Sequence, residues 1–307
     1  MKDNKLFMAF ASGSESRDDV RTLYKGIAPV FVLAVNPNKA ESEEIFNREL
    51  EEAPNYISET EVGPEGNKVK VPQVRINFVI QTDADKCGID AKGNMSYFLA
   101  KSYKYNREGT KVEVINKYGE STWLPVEDVK ANRVPENMKW FDTSGMRPAY
   151  IGEAALISFL KAYLNIPNKS FTRNGETKYI KNIADAEAGF DNIDNFFKGD
   201  FSELRTILGL QPKNKVKVCW GVKTNNDNRQ YQVFYTDKVL KNVVSDYSKL
   251  DEEIQSRQSG GAYPNVEFST EPLHEYVVES TDFDNPLDNP TASPSDLPWG
   301  ANWNPNK

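Results

Sequence analysis

Residues 74 to 81 alternate in character, with Val74, Ile76, Phe78 and Ile80 set against Arg75, Asn77, Val79 and Gln81. Successive side chains of a strand point to opposite faces, so this spacing predicts a strand with Arg75 opposite the larger apolar residues. The continuous apolar run from Val30 to Val35, ended by Asn36-Pro37, predicts a buried strand. Asn38 to Glu52 predicts a helix that stops before Pro54, and Gly63 to Asn67 a loop.

The stretch from Met95 to Trp123 carries the strongest pattern. Its odd positions are Tyr97, Leu99, Lys101, Tyr103, Tyr105 and Arg107, which would share one strand face. Asn106-Arg107-Glu108-Gly109 predicts a turn, because glycine accepts the positive φ that closes short hairpin loops. A second strand from Lys111 to Lys117 would return alongside, followed by Tyr118 and Trp123. Aromatic faces interleaved with cations suit single-stranded nucleic acid, whose bases stack and whose phosphates carry charge. A tyrosine-rich strand buried against a core, with its cations at the rim, fits the same pattern.

Farther on the period changes. Leu156, Phe159, Leu160, Tyr163 and Leu164 fall at helical spacing, and Asn165-Ile166-Pro167 ends that segment. Phe171 to Ile180 predicts a small hairpin around Asn174-Gly175, and Ile183 to Leu210 a mostly helical stretch. Lys215 to Lys223 predicts a strand with Val216, Val218, Trp220 and Val222 on one face and Lys215, Lys217 and Lys223 on the other. Asn225 to Asn228 turns it into a partner strand, Gln230 to Tyr235, which adds Arg229 and Tyr231 to the lysine row. A polar helix is expected from Lys238 to Arg257.

Charge changes the picture only when it is divided along the chain. The 307 residues carry a net charge of −7. From Asn265 onward eight acidic residues stand against Lys307 alone, so that whole charge lies in the last segment and the preceding body is neutral. Five prolines from Pro286 to Pro305, with few aliphatic residues, argue against a packed core there. The expected division is a core over 1–276 and a disordered acidic tail over 277–307. Asp282, Phe283, Asp284, Leu287, Asp288, Asp296, Leu297 and Trp299 are the candidate partner-docking residues of that tail.

Catalytic chemistry finds little support. His274 is the only histidine and lies at the tail boundary, and the two cysteines, Cys87 and Cys219, lie far apart. A four-ligand Cys/His zinc site is therefore excluded, and neither a GxxxxGK[ST] loop nor a GxGxxG after a strand occurs. Asp83 and Asp85 could hold a divalent metal, although a solvated turn explains them more simply. No metal or cofactor is expected. No run of about 18 apolar residues is present, so no membrane span is predicted, nor is a signal peptide. The sparse cysteines suit a reducing, cytoplasmic setting.

The segments YKGIAPVFVLAVNP, KYNREGTKVEVINKYGESTW, YIGEAALISFLKAYLNIP, FKGDFSEL and NKVKVCWGVKTNNDNRQYQVFYT span most of residues 24–236. In these the chain resembles phage-encoded single-stranded-DNA-binding proteins, most closely a group from tailed phages of gut Bacteroides-type bacteria, including crAss-like phages. The resemblance implies an OB-type β-barrel core, an acidic C-terminal tail and a location in the host cytoplasm. The chain departs from it in lacking the Cys/His zinc set of one phage relative. It also continues past Leu297-Pro298-Trp299 into GANWNPNK, where many such tails finish at an aromatic residue.

The expected fold is α+β: an OB-like antiparallel barrel or curved sheet with helices inserted over about 145–210. The expected function is sequence-tolerant binding of single-stranded DNA in phage replication, recombination or repair, without catalysis. The binding residues would be Arg75, Tyr97, Lys101, Tyr103, Tyr105, Arg107, Lys111, Lys117, Tyr118, Trp123, Lys215, Lys217, Lys223, Arg229 and Tyr231. The tail would recruit replication or recombination proteins and compete with nucleic acid for the cationic groove. The alternatives are a virion-associated or other interaction protein, and a metal-dependent nuclease using Asp83 and Asp85.

Overall fold

The computed structural model describes residues 21–63, 67–116, 120–163, 168–173, 176–181, 193–209, 216–241 and 246–278. The tail residues proposed for partner docking, together with Lys117, Tyr118 and Lys215, lie outside them. The fold is mixed α and β, built on an antiparallel sheet that curls into a half-barrel. Its first strand, β1 (Arg21–Val35), is followed by helix α1 (Lys39–Phe46), β2 (Ile57–Val62), β3 (Val69–Thr82), the short α2 (Ala84–Cys87) and β4 (Lys92–Tyr103). A side branch then inserts β5 (Lys111–Ile115), β6 (Ser121–Pro125), α3 (Val126–Lys130), β7 (Arg147–Pro148) and β8 (Tyr150–Ile151). Next come α4 (Glu153–Tyr163), the hairpin β9 (Asn168–Arg173) and β10 (Glu176–Lys181), and the helices α5 (Ile193–Phe196) and α6 (Ser202–Gly209). The chain closes with β11 (Val216–Thr224), β12 (Gln230–Phe234), β13 (Leu240–Lys241), α7 (Ser248–Ser259), β14 (Val266–Phe268) and β15 (His274–Val278).

The main sheet runs β12-β11-β1-β3-β4-β8, with β2, β13, β14 and β15 paired at its margins. Its alternation sets the core. Val74, Ile76, Phe78 and Ile80 of β3 face the same interior as Met95, Tyr97 and Leu99 of β4, all without exposure. Helix α4 closes this space with Leu156, Phe159, Leu160 and Tyr163. The Phe159 ring lies 4.5 Å from Phe78 and 5.4 Å from Tyr97. Each such buried aromatic contributes roughly 1.5–3 kcal/mol of apolar transfer. The curl brings β12 back toward β4: a Cβ on Gly93 would lie 2.5 Å from Phe234 Cζ.

Several expectations meet their limits here. Helix α1 is shorter than the predicted 38–52 span, because Asn47 takes the left-handed conformation (φ 50°) that ends it. Its start is a capping box, in which the Asn38 side chain accepts from Glu41 N and the Glu41 carboxylate from Asn38 N. The helix expected from Lys238 is corrected: Leu240 and Lys241 pair with β11, and α7 begins at Ser248, whose N–H and hydroxyl donate to Asp246. The insertion over 145–210 is mixed: β9 and β10 pair as the two arms of the predicted hairpin, while its turn at Asn174-Gly175 and residues 182–192 of the expected helical stretch lie outside the described residues. The last strands, β14 and β15, join β11 and β1, so the main sheet extends to Val278.

Within the lysine row on β11 one member, Lys217, is corrected as well. The strand is covered on both faces, because Cys219 joins Tyr235, Leu250, Ile254 and Tyr263 in a second apolar cluster under α7. Lys217 is half-buried, and its Nζ donates to Tyr247 Oη at 2.8 Å. Among the described residues no helix is long and apolar enough to cross a membrane.

Candidate nucleic-acid interface

Strand β4 carries the site out of the core. Through Leu99 its odd-numbered side chains point into the apolar cluster, and Tyr97 is wholly buried there. Beyond Leu99 the strand passes the end of that cluster, and its pairing with β8 shifts register between Ala100 and Tyr103. Lys101, Tyr103, Tyr105 and Arg107 are consequently exposed. The expected face running continuously from Tyr97 to Arg107 is thus corrected: Tyr97 is a core residue, excluded from stacking by its cover of Phe78 and Phe159. Its hydroxyl is buried without a hydrogen-bond partner.

Tyr103 pairs in register with Tyr150 of β8. Their rings lie 5.8 Å apart and within 12° of parallel, and Tyr103 remains 45% exposed. Phe197, just after α5, meets Tyr150 edge-on at 5.6 Å. Lys101 Nζ lies 5.7 Å from the Phe197 ring centre and 3.1 Å from Asp194 Oδ1. Tyr150 Oη donates to the same oxygen at 3.3 Å. Partial burial, then the Asp194 charge, pushes the Tyr150 phenol above its ordinary pKa.

Behind these rings Arg147 is clamped by Glu153. One guanidinium nitrogen donates to Glu153 Oε2 at 3.0 Å and the other to Oε1. Glu153 is fully buried and also accepts from Tyr150 N at 2.9 Å, which fixes the Tyr150 backbone and the guanidinium together. Burial opposes the Arg147 charge, but the hydrogen bonds and charge of Glu153 prevail and hold its pKa above the ordinary value.

The turn after β4 forms as its sequence demands. Gly109 has φ +69°, and Asn106 Oδ1 accepts from Lys111 N at 2.7 Å. The returning strand touches the outgoing one through the Tyr105–Val112 bridge and then pairs with β6 and β7 in a separate three-stranded sheet. Lys104 Nζ lies 2.9 Å from Glu113 Oε2 and 5.5 Å from the half-buried Trp123 ring. Arg107 and Lys111 are exposed at the tip, and among the described residues no ion pair engages either.

The other expected residues lie elsewhere. Arg75 is half-buried, its guanidinium 5.3 Å from the Tyr56 ring centre and donating to Asn55 O at 3.2 Å. Burial lowers its pKa, and its Nε has no partner, so Arg75 belongs to the packing of the 55–57 segment. Lys223 pairs across strands with Tyr231 and lines a cavity of about 160 Å³ with Asn94, Ser96, Gln232, Phe234 and Tyr263. Arg229 N closes the adjoining turn by donating to Asn225 Oδ1. Asp83 is buried and Asp85 exposed in the α2 turn, and no group of three His, Cys, Asp or Glu able to hold a metal occurs among the described residues.

No protein family, curated protein or solved structure matches this chain. The geometry therefore stands alone. It joins Lys101, Tyr103 and Tyr105 to Lys104, Arg147, Tyr150, Asp194 and Phe197, five residues that sequence reasoning missed. A readable signal existed for Tyr150, which stands just ahead of the helix start at Gly152-Glu153. Nothing in the local sequence marks Phe197 as its neighbour.

Proposed function

We propose that this chain binds single-stranded DNA with little sequence preference, in phage replication, recombination or repair, and catalyses no reaction. The observation that carries this reading is the exposed Tyr103 ring, held parallel to Tyr150 and flanked by Lys101 and Arg147. A fixed aromatic plane offers every base the same stacking surface, and neighbouring cations meet the backbone phosphates. Tyr105, Trp123, Arg107 and Lys111 extend the surface along the hairpin.

The connectivity supports an OB-like identity for the half-barrel. Strands β1, β3 and β4 precede helix α4, strands β11 and β12 follow it, and the spatial order is β12-β11-β1-β3-β4. In OB-folds the surface of the second and third strands and the loops between neighbouring strands bind oligonucleotides. Along the chain β4 is the third of these five strands, and it carries Tyr103. The acidic tail would compete with nucleic acid for the cations of this surface and recruit replication or recombination proteins through Phe283, Leu287, Leu297 and Trp299.

One observation favours a second reading, a protein-binding surface. Lys101, Lys104 and Arg147 each face a carboxylate, which limits the positive charge offered to phosphate. A gel shift with labelled oligo-dT at rising salt decides between them. Saturable, salt-sensitive retardation without cleavage in the presence of magnesium supports strand binding. No retardation at low salt favours the protein surface, and magnesium-dependent cleavage would restore the nuclease.

A further inference from the structure

Three carboxylates pair with Lys101, Lys104 and Arg147 beside Tyr103, and they differ in burial. Glu153 is inaccessible and tied to Tyr150 N as well as Arg147. The Glu113 side chain is only 8% exposed. The Asp194 side chain is 56% exposed, and its Lys101 partner 41%. The first two are part of the packing, and parting either from its cation would leave a buried carboxylate uncompensated. The exposed Lys101–Asp194 pair is held weakly by comparison, since water and salt screen both partners.

The single oxygen Asp194 Oδ1 receives Lys101 Nζ at 3.1 Å and Tyr150 Oη at 3.3 Å. An ammonium and a phenol hydroxyl converging on one anionic oxygen make a constellation that a phosphate oxygen would satisfy equally well. It also lies beside the plane where a base would stack, because Tyr150 is both the hydroxyl donor and the ring under Tyr103. We infer that Lys101 and Tyr150 form a binding site for one backbone phosphate of a strand stacked on Tyr103, and that Asp194 occupies this site until the phosphate displaces it. This inference rests on the strand-binding reading. It assigns Asp194 the role of an internal competitor, set on the short α5 segment so that it can withdraw without disturbing the β4-β8 pairing. A base stacked on Tyr103 and a phosphate on Lys101 would then engage together, favouring a continuous strand over free phosphate.

Fluorescence anisotropy with labelled oligo-dT tests this, using the full chain and the variants D194N, K101Q and K101Q/D194N at low ionic strength. D194N should bind about two- to five-fold more tightly than the parent, the range that removing a competing exposed ion pair allows. K101Q/D194N should lose that gain, and Tyr150→Phe in the D194N background should lose part of it while keeping the stacked ring. A thermal melt of each variant separates these effects from unfolding. Equal or weaker binding by a folded D194N, with the parent binding well, would overturn the competitor role alone. Failure of both parent and D194N to bind would overturn the strand-binding reading and this inference with it.

Discussion

The rings of Tyr103 and Tyr150 lie 5.8 Å apart and nearly parallel, joined by the cross-strand pairing of β4 with β8. Tyr150 is anchored from behind, its N–H donating to the buried Glu153. The outer ring is therefore presented in a fixed orientation rather than as a loose surface side chain. A preset stacking plane loses little conformational entropy when a base arrives.

Tyr103→Ala should weaken oligo-dT binding by about 1–3 kcal/mol, roughly 5- to 150-fold, with little change in melting temperature. Tyr97→Ala should do the reverse. Removing a fully buried ring on the same strand should lower stability by about 3–5 kcal/mol and leave the affinity of the folded fraction intact. Parallel denaturant and binding titrations check both, and an exchange of the two phenotypes would refute the assignment.

Gly93 should tolerate no side chain while Phe234 stands opposite it. A methyl group 2.5 Å from the Phe234 ring must push β12 away from β4, so Gly93→Ala should destabilise by about 1–3 kcal/mol. Adding Phe234→Leu should recover part of that loss. A double-mutant cycle by urea denaturation measures the coupling, and additive losses would show that the two strands do not meet there.

The cations should separate by exposure. Changing Arg107 and Lys111 to Gln should flatten the slope of log affinity against log salt by about 0.7 for each phosphate that is no longer neutralised. Lys217→Gln should leave the slope unchanged, because Lys217 is engaged with Tyr247 beneath α7. Salt titrations of the two variants give the answer directly.

The Cys219 thiol should stay unreactive in the native protein. Burial pushes its pKa up to about 12, outweighing a smaller opposing effect of the Ser269 backbone. At pH 8 the thiolate fraction is then on the order of one in 10⁴, and only the thiolate reacts. Its labelling by iodoacetamide should require unfolding and should rise with pH toward 12. Rapid native labelling at pH 8 would place Cys219 outside the second cluster.

Local pattern made much of the scaffold legible. The alternation of β3, the Gly109 turn, the periodicity of α4 and the pairing of β9 with β10 are each properties of a few neighbouring residues, and each stands where the sequence placed it. What escaped depends on cover. Tyr97 and Tyr103 have the same parity on one strand, and alternation cannot tell that Phe159 lies over the first and solvent over the second. Lys217 read as exposed because the helix covering its face arrives some thirty residues later. The Tyr150–Phe197 packing and the Asp194 bridge link segments more than forty residues apart, which no local period encodes.

The most direct test is photocross-linking of the full chain to an oligonucleotide carrying 5-bromodeoxyuridine, with the adducts mapped by mass spectrometry. The account predicts adducts on the peptides that contain Tyr103, Tyr150 or Trp123, abolished in competition with unlabelled oligo-dT. Adducts confined to residues 216–241, or none under conditions where the oligonucleotide is bound, would contradict it.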